Sequence, residues 1–290
     1  MFNVDKYQDQ FTYYELQDLA AGSRVKLVPE RGGIVVGFSL GDQELLYLDK
    51  ETLNNPEQNV RGGIPYLFPI CGRLSDDEYT WNGEKYRMNQ HGLARNLPWT
   101  VLNQDTREEA AITLQLKGDR ATRSQYPFDF ELDFKYSLKG KTLRIDQEYR
   151  NCSGVELPFY AGFHPYIRVA EKERLIYDIS ASAYLDFEDL RIKPYTGNLD
   201  LTHENQAKLF MDHAPGRLSF RDPVLNRKFH YEYGPEFKYP VLWTIPGQDF
   251  VCVELFMARP DALNTREDLI FIPPHRTHQT FVAITAELTK

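Results

Sequence analysis

Cysteine is scarce in this chain: Cys71, Cys152 and Cys252 are the only three in 290 residues. Three scattered thiols cannot form a disulfide framework, so a reducing compartment, the cytoplasm, is the expected location. No apolar run reaches the length of a membrane-spanning helix. The first ten residues, MFNVDKYQDQ, lack the apolar core of a signal peptide. Asn151-Cys152-Ser153 matches the glycosylation pattern, which carries no meaning in a cytoplasmic chain. Basic charge is also in short supply. The 34 Lys and Arg are outnumbered by 42 Asp and Glu, giving a net charge of -8. That balance argues against nucleic acid or an anionic membrane as the partner, because both need a broad basic surface.

Helical periodicity is missing too: no long segment keeps apolar residues at i, i+3 and i+4. There is no G-x-S-x-G elbow, no P-loop, no G-x-G-x-x-G opening a helix and no H-E-x-x-H. His275 and His278 have H-x-x-H spacing, but on an extended segment they point to opposite faces, so no metal site is expected there. His203, His213 and His230 stand among polar neighbours and are expected at the surface.

The chain is rich in aromatics, with 18 Tyr and 18 Phe, and in period-two alternation. Phe128, Phe130, Leu132, Phe134, Tyr136 and Leu138 alternate with mostly polar residues. After a turn at Lys139-Gly140 the alternation resumes through Leu143, Ile145 and Tyr149. This predicts a long antiparallel hairpin with one buried face. Ile112, Leu114 and Leu116 repeat the pattern. YTWNGEKYRM predicts a second hairpin, with Asn82-Gly83 supplying the positive φ angles of a type I′ turn. RLSFRDPVLNRKFHYEY predicts a third, turning through Asp222 to Asn226. Glycine and proline punctuate the whole length rather than gathering in a linker. The expectation is an all-β chain forming one domain over 1–290, a large antiparallel β-sandwich of two layers. A concave sheet face of such a fold can hold a ligand.

Three residues stand out chemically. His91 precedes Gly92, which permits close backbone approach. His164 is stiffened by Pro165 into an extended conformation. For both, spacing alone leaves a loop hydrogen bond and a functional role open. Glu254 lies in DFVCVELFMARP, where Phe250, Cys252 and Phe256 share its face and Val251, Val253 and Leu255 form the other. A strand apolar on both faces is buried, and a carboxylate there is costly without partners. Burial would raise its pKa toward that of a general base. A salt bridge to Arg73 or Arg259 is the alternative. Arg61, Arg73 and Arg95 each sit beside turn-like sequence within 35 residues of one another. Their planar forks suit hydroxyl pairs, carboxylates or phosphates.

RGGIPYLFPICGRL, NQHGLARNLPWTV, GFHPYIRV and VCVELF, in this order from Arg61 to Phe256, resemble the aldose 1-epimerase (galactose mutarotase-like) family. The resemblance implies a large β-sandwich, the mutarotase-like supersandwich. It also implies interconversion of the α and β anomers of a hexose or hexose 6-phosphate. By motif position Glu254 would take the proton of the C1 hydroxyl and His164 would protonate the ring oxygen. His91 and Arg73 would hold hydroxyls or polarise the ring oxygen. RGGIP and HGLAR are similar to the branch acting on hexose 6-phosphates, which makes Arg61 and Arg95 candidate phosphate ligands. Arg73 in GRL and the HPY motif are similar to the free-aldose branch. The family also uses a substrate-binding aspartate between the second histidine and the glutamate. Asp212 is the candidate, with Asp186 and Asp200 as competitors. Leu255 stands where the family often has proline. The implied chemistry requires no cofactor and no metal. The expected partner is a small-molecule sugar or sugar phosphate, and the expected state is a monomer or weak dimer.

Two other readings compete. A non-catalytic carbohydrate-binding module would use the same aromatics and arginines for affinity alone, but would not need an acid and a base facing one ring. A glycosidase or lyase would usually want two carboxylates flanking the bond, and only Glu254 is well placed for that.

Overall fold

Strands dominate the computed structural model, which describes residues 1–197, 199, 201 and 207–289. The α-helices among these residues are short: Lys50–Asn54, Arg120–Arg123 and Ala262–Thr265. Period-two alternation has become antiparallel sheet. One eight-stranded sheet runs, in spatial order, through Ile176–Asp178, Arg217–Asp222, Arg227–Tyr233, Thr277–Leu288, Thr142–Asn151, Phe130–Lys139, Ala110–Lys117 and Thr100–Asp105. A second eight-stranded sheet includes Ala183–Asp186, Lys208–Phe210, Tyr239–Trp243, Phe250–Phe256, Gly162–Phe163 and Tyr66–Leu67. A five-stranded sheet is built from residues 2–44.

The long hairpin forms as its alternation predicts. Phe130–Lys139 pairs with Thr142–Asn151 in the register Leu138↔Leu143. Phe130, Leu132, Phe134, Tyr136, Leu143, Ile145 and Tyr149 are all buried, Gln147 joins them in phase, and Glu131, Asp133, Lys135, Arg144, Asp146 and Glu148 between them are partly exposed. Burying each such side chain contributes roughly 1.5–3 kcal/mol. Asn82 (φ 51°) and Gly83 (φ 84°) turn the second hairpin, as a type I′ turn requires. The third turns where Asp222 accepts hydrogen bonds from the Val224 and Leu225 amides.

The core lies between the two large sheets. Tyr66 of the second sheet packs edge-on against Phe134 of the first, with centroids 4.6 Å apart. Leu16, Val25 and Phe38 of the five-stranded sheet join the same apolar cluster. The all-β antiparallel sandwich expected from the sequence is the fold that forms.

The strand Phe250–Phe256 positions the site. Every residue in it is buried. Val251, Val253 and Leu255 face the main core. Phe250 and Cys252, on the opposite face, join a smaller cluster with Tyr166, Tyr47 and Trp243. Glu254 shares that second face, because successive side chains alternate.

Candidate active site

The pairing of one strand with its neighbours assembles the site. Phe163 opposes Leu255 and Tyr166 opposes Cys252. In a continuous antiparallel register, His164 then lies directly across from Glu254. On the other side Val241 opposes Glu254 and Trp243 opposes Cys252. Directly opposed side chains on one face stand close enough to interact. His164 Nε2 is 3.3 Å from Glu254 Oε1. The His164 backbone is fixed by donating its amide hydrogen to the Pro65 carbonyl at 3.0 Å.

Glu254 is 3% exposed and His164 8%. Glu254 Oε2 and His164 Nδ1 are buried without a hydrogen-bond partner. Removal from water pushes the Glu254 carboxyl well above the ordinary carboxylate range. Burial, reinforced by the Arg95 charge, pulls the His164 imidazole down to about 3. Both shifts favour the uncharged forms, a neutral carboxyl and a neutral imidazole. The salt bridges considered from sequence do not form: Arg259 pairs with Glu267, and Arg73 lies 3.8 Å from Asp77.

His91 stands at right angles to His164, with ring centroids 5.6 Å apart. It adopts φ 67°, an unusual conformation for a non-glycine residue. A reciprocal clamp holds it there. The His91 amide donates to the Gly72 carbonyl at 2.7 Å, and the Gly72 amide donates to His91 Nδ1 at 3.0 Å. Because Nδ1 accepts, the ring hydrogen of neutral His91 is on Nε2. Burial and the nearby Arg95 charge hold its pKa well below the usual value, which keeps it a neutral donor. Gly92 (φ 70°) is needed at the next position, since a Cβ there would lie 2.3 Å from the Phe68 carbonyl oxygen.

His91, His164, Glu254, Arg61, Arg73 and Arg95 all line one cavity of about 780 Å³. Arg95 is the most enclosed of the three arginines. One nitrogen of its fork donates to the Gln90 carbonyl at 2.7 Å, and its Nε has no hydrogen-bond partner. Desolvation lowers its pKa to about 10, leaving it cationic at neutral pH. Arg61 and Arg73 are exposed at the rim.

Asp212 is not among the residues lining this cavity. Its carboxylate accepts hydrogen bonds from the Ser182 and Ala183 amides and from the Ser182 hydroxyl. Asp186 is also elsewhere, buried between Lys193 and Lys208 at 2.6 Å from each. Asp200 and His203 lie outside the described residues. The expectation of a surface position fails for His213: its ring is buried between the Tyr233 hydroxyl at 2.6 Å and the Ser180 hydroxyl at 3.2 Å. His230 is partly exposed, 3.9 Å from Glu287, and His278 lies 3.3 Å from Glu236. Among the described residues no group of three His, Cys, Asp or Glu could hold a metal ion. No helix among them is long and apolar enough to cross a membrane.

Sequence reasoning missed much of the wall. Thr52, Glu57, Gln58, Asn59 and Val60 form one side, and Trp243 and Phe256 contribute aromatic surface. Glu57 makes a second carboxylate in a cavity where the sequence offered one. Trp243 could have been found from its strand, since Val241 and Trp243 alternate in phase. The wall at 52–60 left no comparable signal.

The family model described as aldose 1-epimerase matches residues 15–283. The chain is similar in structure to the Slr1438 protein of Synechocystis sp. PCC 6803, at 38% identity and a TM-score of 0.94, covering 99% of this chain and 100% of that one. It is 28% identical over 195 residues to the plasmid-encoded LacX protein of Lactococcus lactis subsp. lactis, covering 61% of this chain. It is 30% identical over 132 residues, 45% of this chain, to an Escherichia coli K12 protein provisionally named glucose-6-phosphate 1-epimerase. The chain spans 64% of the length of the LacX relative and 40% of the E. coli relative.

Proposed function

The chain belongs to the aldose 1-epimerase family, and from that premise we propose that it is an isomerase interconverting the α and β anomers of a hexose, with a hexose 6-phosphate as its better substrate. The observation that carries this reading is the 3.3 Å contact between His164 Nε2 and Glu254 Oε1 in a cavity that also holds three arginines.

Anomerisation needs a base at the C1 hydroxyl and an acid at the ring oxygen. The neutral pair holds one exchangeable proton between its two members. Moving that proton from Glu254 to His164 creates carboxylate and imidazolium. A bound sugar replaces lost solvation with its own hydroxyls and makes this charged form accessible. Glu254 then takes the C1 hydroxyl proton while His164 protonates the ring oxygen, and the C1–O5 bond breaks to give the open aldehyde. Rotation about C1–C2 and the reverse transfers close the other anomer. The pair ends with the proton inventory it began with. Each acid–base role is worth typically 10²–10⁴-fold. His91, fixed as an Nε2 donor, supplies a hydrogen bond to the ring oxygen or a neighbouring hydroxyl. Trp243 and Phe256 offer apolar surface to the ring faces.

Arg95 supports the preference for phosphate. Its cation is largely removed from water, is paired only to a peptide carbonyl, and faces a cavity also lined by Arg61. Such a guanidinium suits a dianion through charge-assisted hydrogen bonds. The test is NMR exchange between the anomers of glucose and of glucose 6-phosphate, with and without protein. Faster exchange for the phosphate than for the free sugar is expected. Binding of both sugars with no acceleration of either would replace this reading with a non-catalytic carbohydrate-binding protein.

A further inference from the structure

Arg31 is 5% exposed, yet its guanidinium donates five hydrogen bonds to peptide carbonyls. Nε donates to Leu53 at 3.0 Å. The terminal nitrogens donate to Thr52 at 3.1 Å, Asn55 at 3.0 Å, Pro56 at 3.4 Å and Gln58 at 2.8 Å. These carbonyls lie at the end of the helix Lys50–Asn54 and in the loop after it. A cation there complements the negative end of the helix and satisfies carbonyls that the helix leaves open. The loop is closed on itself where the Asp49 amide donates to the Arg61 carbonyl at 2.8 Å and the Arg61 amide donates to Thr52 Oγ1 at 3.0 Å. Arg31 therefore fills and cross-ties the loop that carries Arg61 to the cavity.

The next residue reaches the other phosphate candidate. Gly32 (φ 78°) lies against the backbone of Arg95, so close that a Cβ would fall 2.2 Å from the Arg95 carbonyl oxygen. Arg31 and Arg95 also line one internal void of about 10 Å³, together with Gly32 and Val60. A hydrogen bond of 2.9 Å from Asn96 to Asn59 joins the two walls from the outside.

We propose that Arg31 is a positioning residue for phosphate recognition: through five carbonyls it fixes the wall bearing Arg61, and through Gly32 it holds that wall in register with Arg95. The inference rests on the reading of the cavity as a hexose 6-phosphate site. Arg31 does not line that cavity and acts only through the arginines that do.

The test uses the full chain with Arg31→Lys, which keeps a buried cation but lacks the planar fork that reaches several carbonyls at once, and Arg31→Met as a second variant. Anomer exchange is measured for glucose 6-phosphate and glucose, and inorganic phosphate is titrated as a competitor. In R31K the KM for glucose 6-phosphate and the inhibition constant for inorganic phosphate should both rise about tenfold, as for loss of one charge-assisted hydrogen bond, with kcat within about twofold. Glucose kinetics should be unchanged. A folded R31K with wild-type phosphate affinity overturns the inference, as does an equal change for both sugars. A wild type that treats both sugars alike and ignores inorganic phosphate overturns the reading of the site, and the inference with it. R31M, if it folds, should show a larger shift of the same kind.

Discussion

Replacing Glu254 by Gln tests the chemistry and the charge state of the site at once. The amide keeps the shape of the carboxyl but cannot take a proton. Loss of one acid–base role should slow anomer exchange by about 10²–10⁴-fold. At 1.36 kcal/mol per decade this is about 2.7–5.4 kcal/mol of barrier. Stability should respond differently. The Glu254 carboxyl is 3% exposed and its pKa is raised by desolvation. A carboxyl with a raised folded-state pKa favours folding below the unfolded value, and that contribution is lost as pH rises toward the folded one. At neutral pH the wild type therefore bears the cost of keeping this proton, and glutamine does not. Urea denaturation at pH 7 should show E254Q as stable as the wild type or more so. Were the resting pair instead carboxylate and imidazolium, E254Q would strand a buried charge and lose roughly 3–5 kcal/mol. Exchange measured by NMR on the same sample gives the rate. Unchanged anomerisation would refute the assignment of Glu254 as base. A destabilisation of several kcal/mol would refute the neutral pair.

Arg95→Met should raise the KM for glucose 6-phosphate by about tenfold or more, since a hydrogen bond to a charged group is worth roughly 1.5–3 kcal/mol, and should leave glucose nearly unaffected; comparing KM for the two sugars checks it. Acid should destabilise the fold through the buried histidines. His164 and His91 have folded-state pKa values below the ordinary 6.5, with His164 at about 3. The unfolded chain therefore binds more protons, and stability falls as pH drops from 6.5 toward about 3, by up to about 1.4 kcal/mol per pH unit for each histidine. Urea midpoints across that range, with His164→Asn flattening the slope, provide the measurement. Gly92→Ala should cost roughly 1–3 kcal/mol or prevent folding, because the new Cβ needs a strained φ and meets the Phe68 carbonyl; a thermal melt reads this directly.

Much of the fold was legible because alternation is a local signal. Phe130 to Tyr136 and Leu143 to Tyr149 alternate in the sequence and alternate in burial, and Asn82-Gly83 turns as its chemistry dictates. His213 was misread for the converse reason: polar neighbours along the chain did not disclose that Tyr233 and Ser180 would enclose its ring. Asp212, a candidate only through its place between His164 and Glu254 in the chain, does not line the cavity, and its carboxylate accepts hydrogen bonds from Ser182 and Ala183. Glu57 and the rest of the 52–60 wall gave no signal, since that loop has no periodicity and is shaped by Arg31, more than twenty residues earlier.

The sequence by itself determined that the chain would be antiparallel β, where three of its hairpins would turn, which of their faces would be apolar, and that Glu254 would be a carboxylate in an apolar strand. Those properties depend on side-chain type at fixed short spacing. Only the tertiary structure decided that His164 and Glu254, 90 residues apart, become cross-strand neighbours. It likewise decided that three arginines from separate turns open into one cavity, and that burial shifts both Glu254 and His164 toward their neutral forms. Register and burial are set by packing among distant strands, and pKa follows from burial.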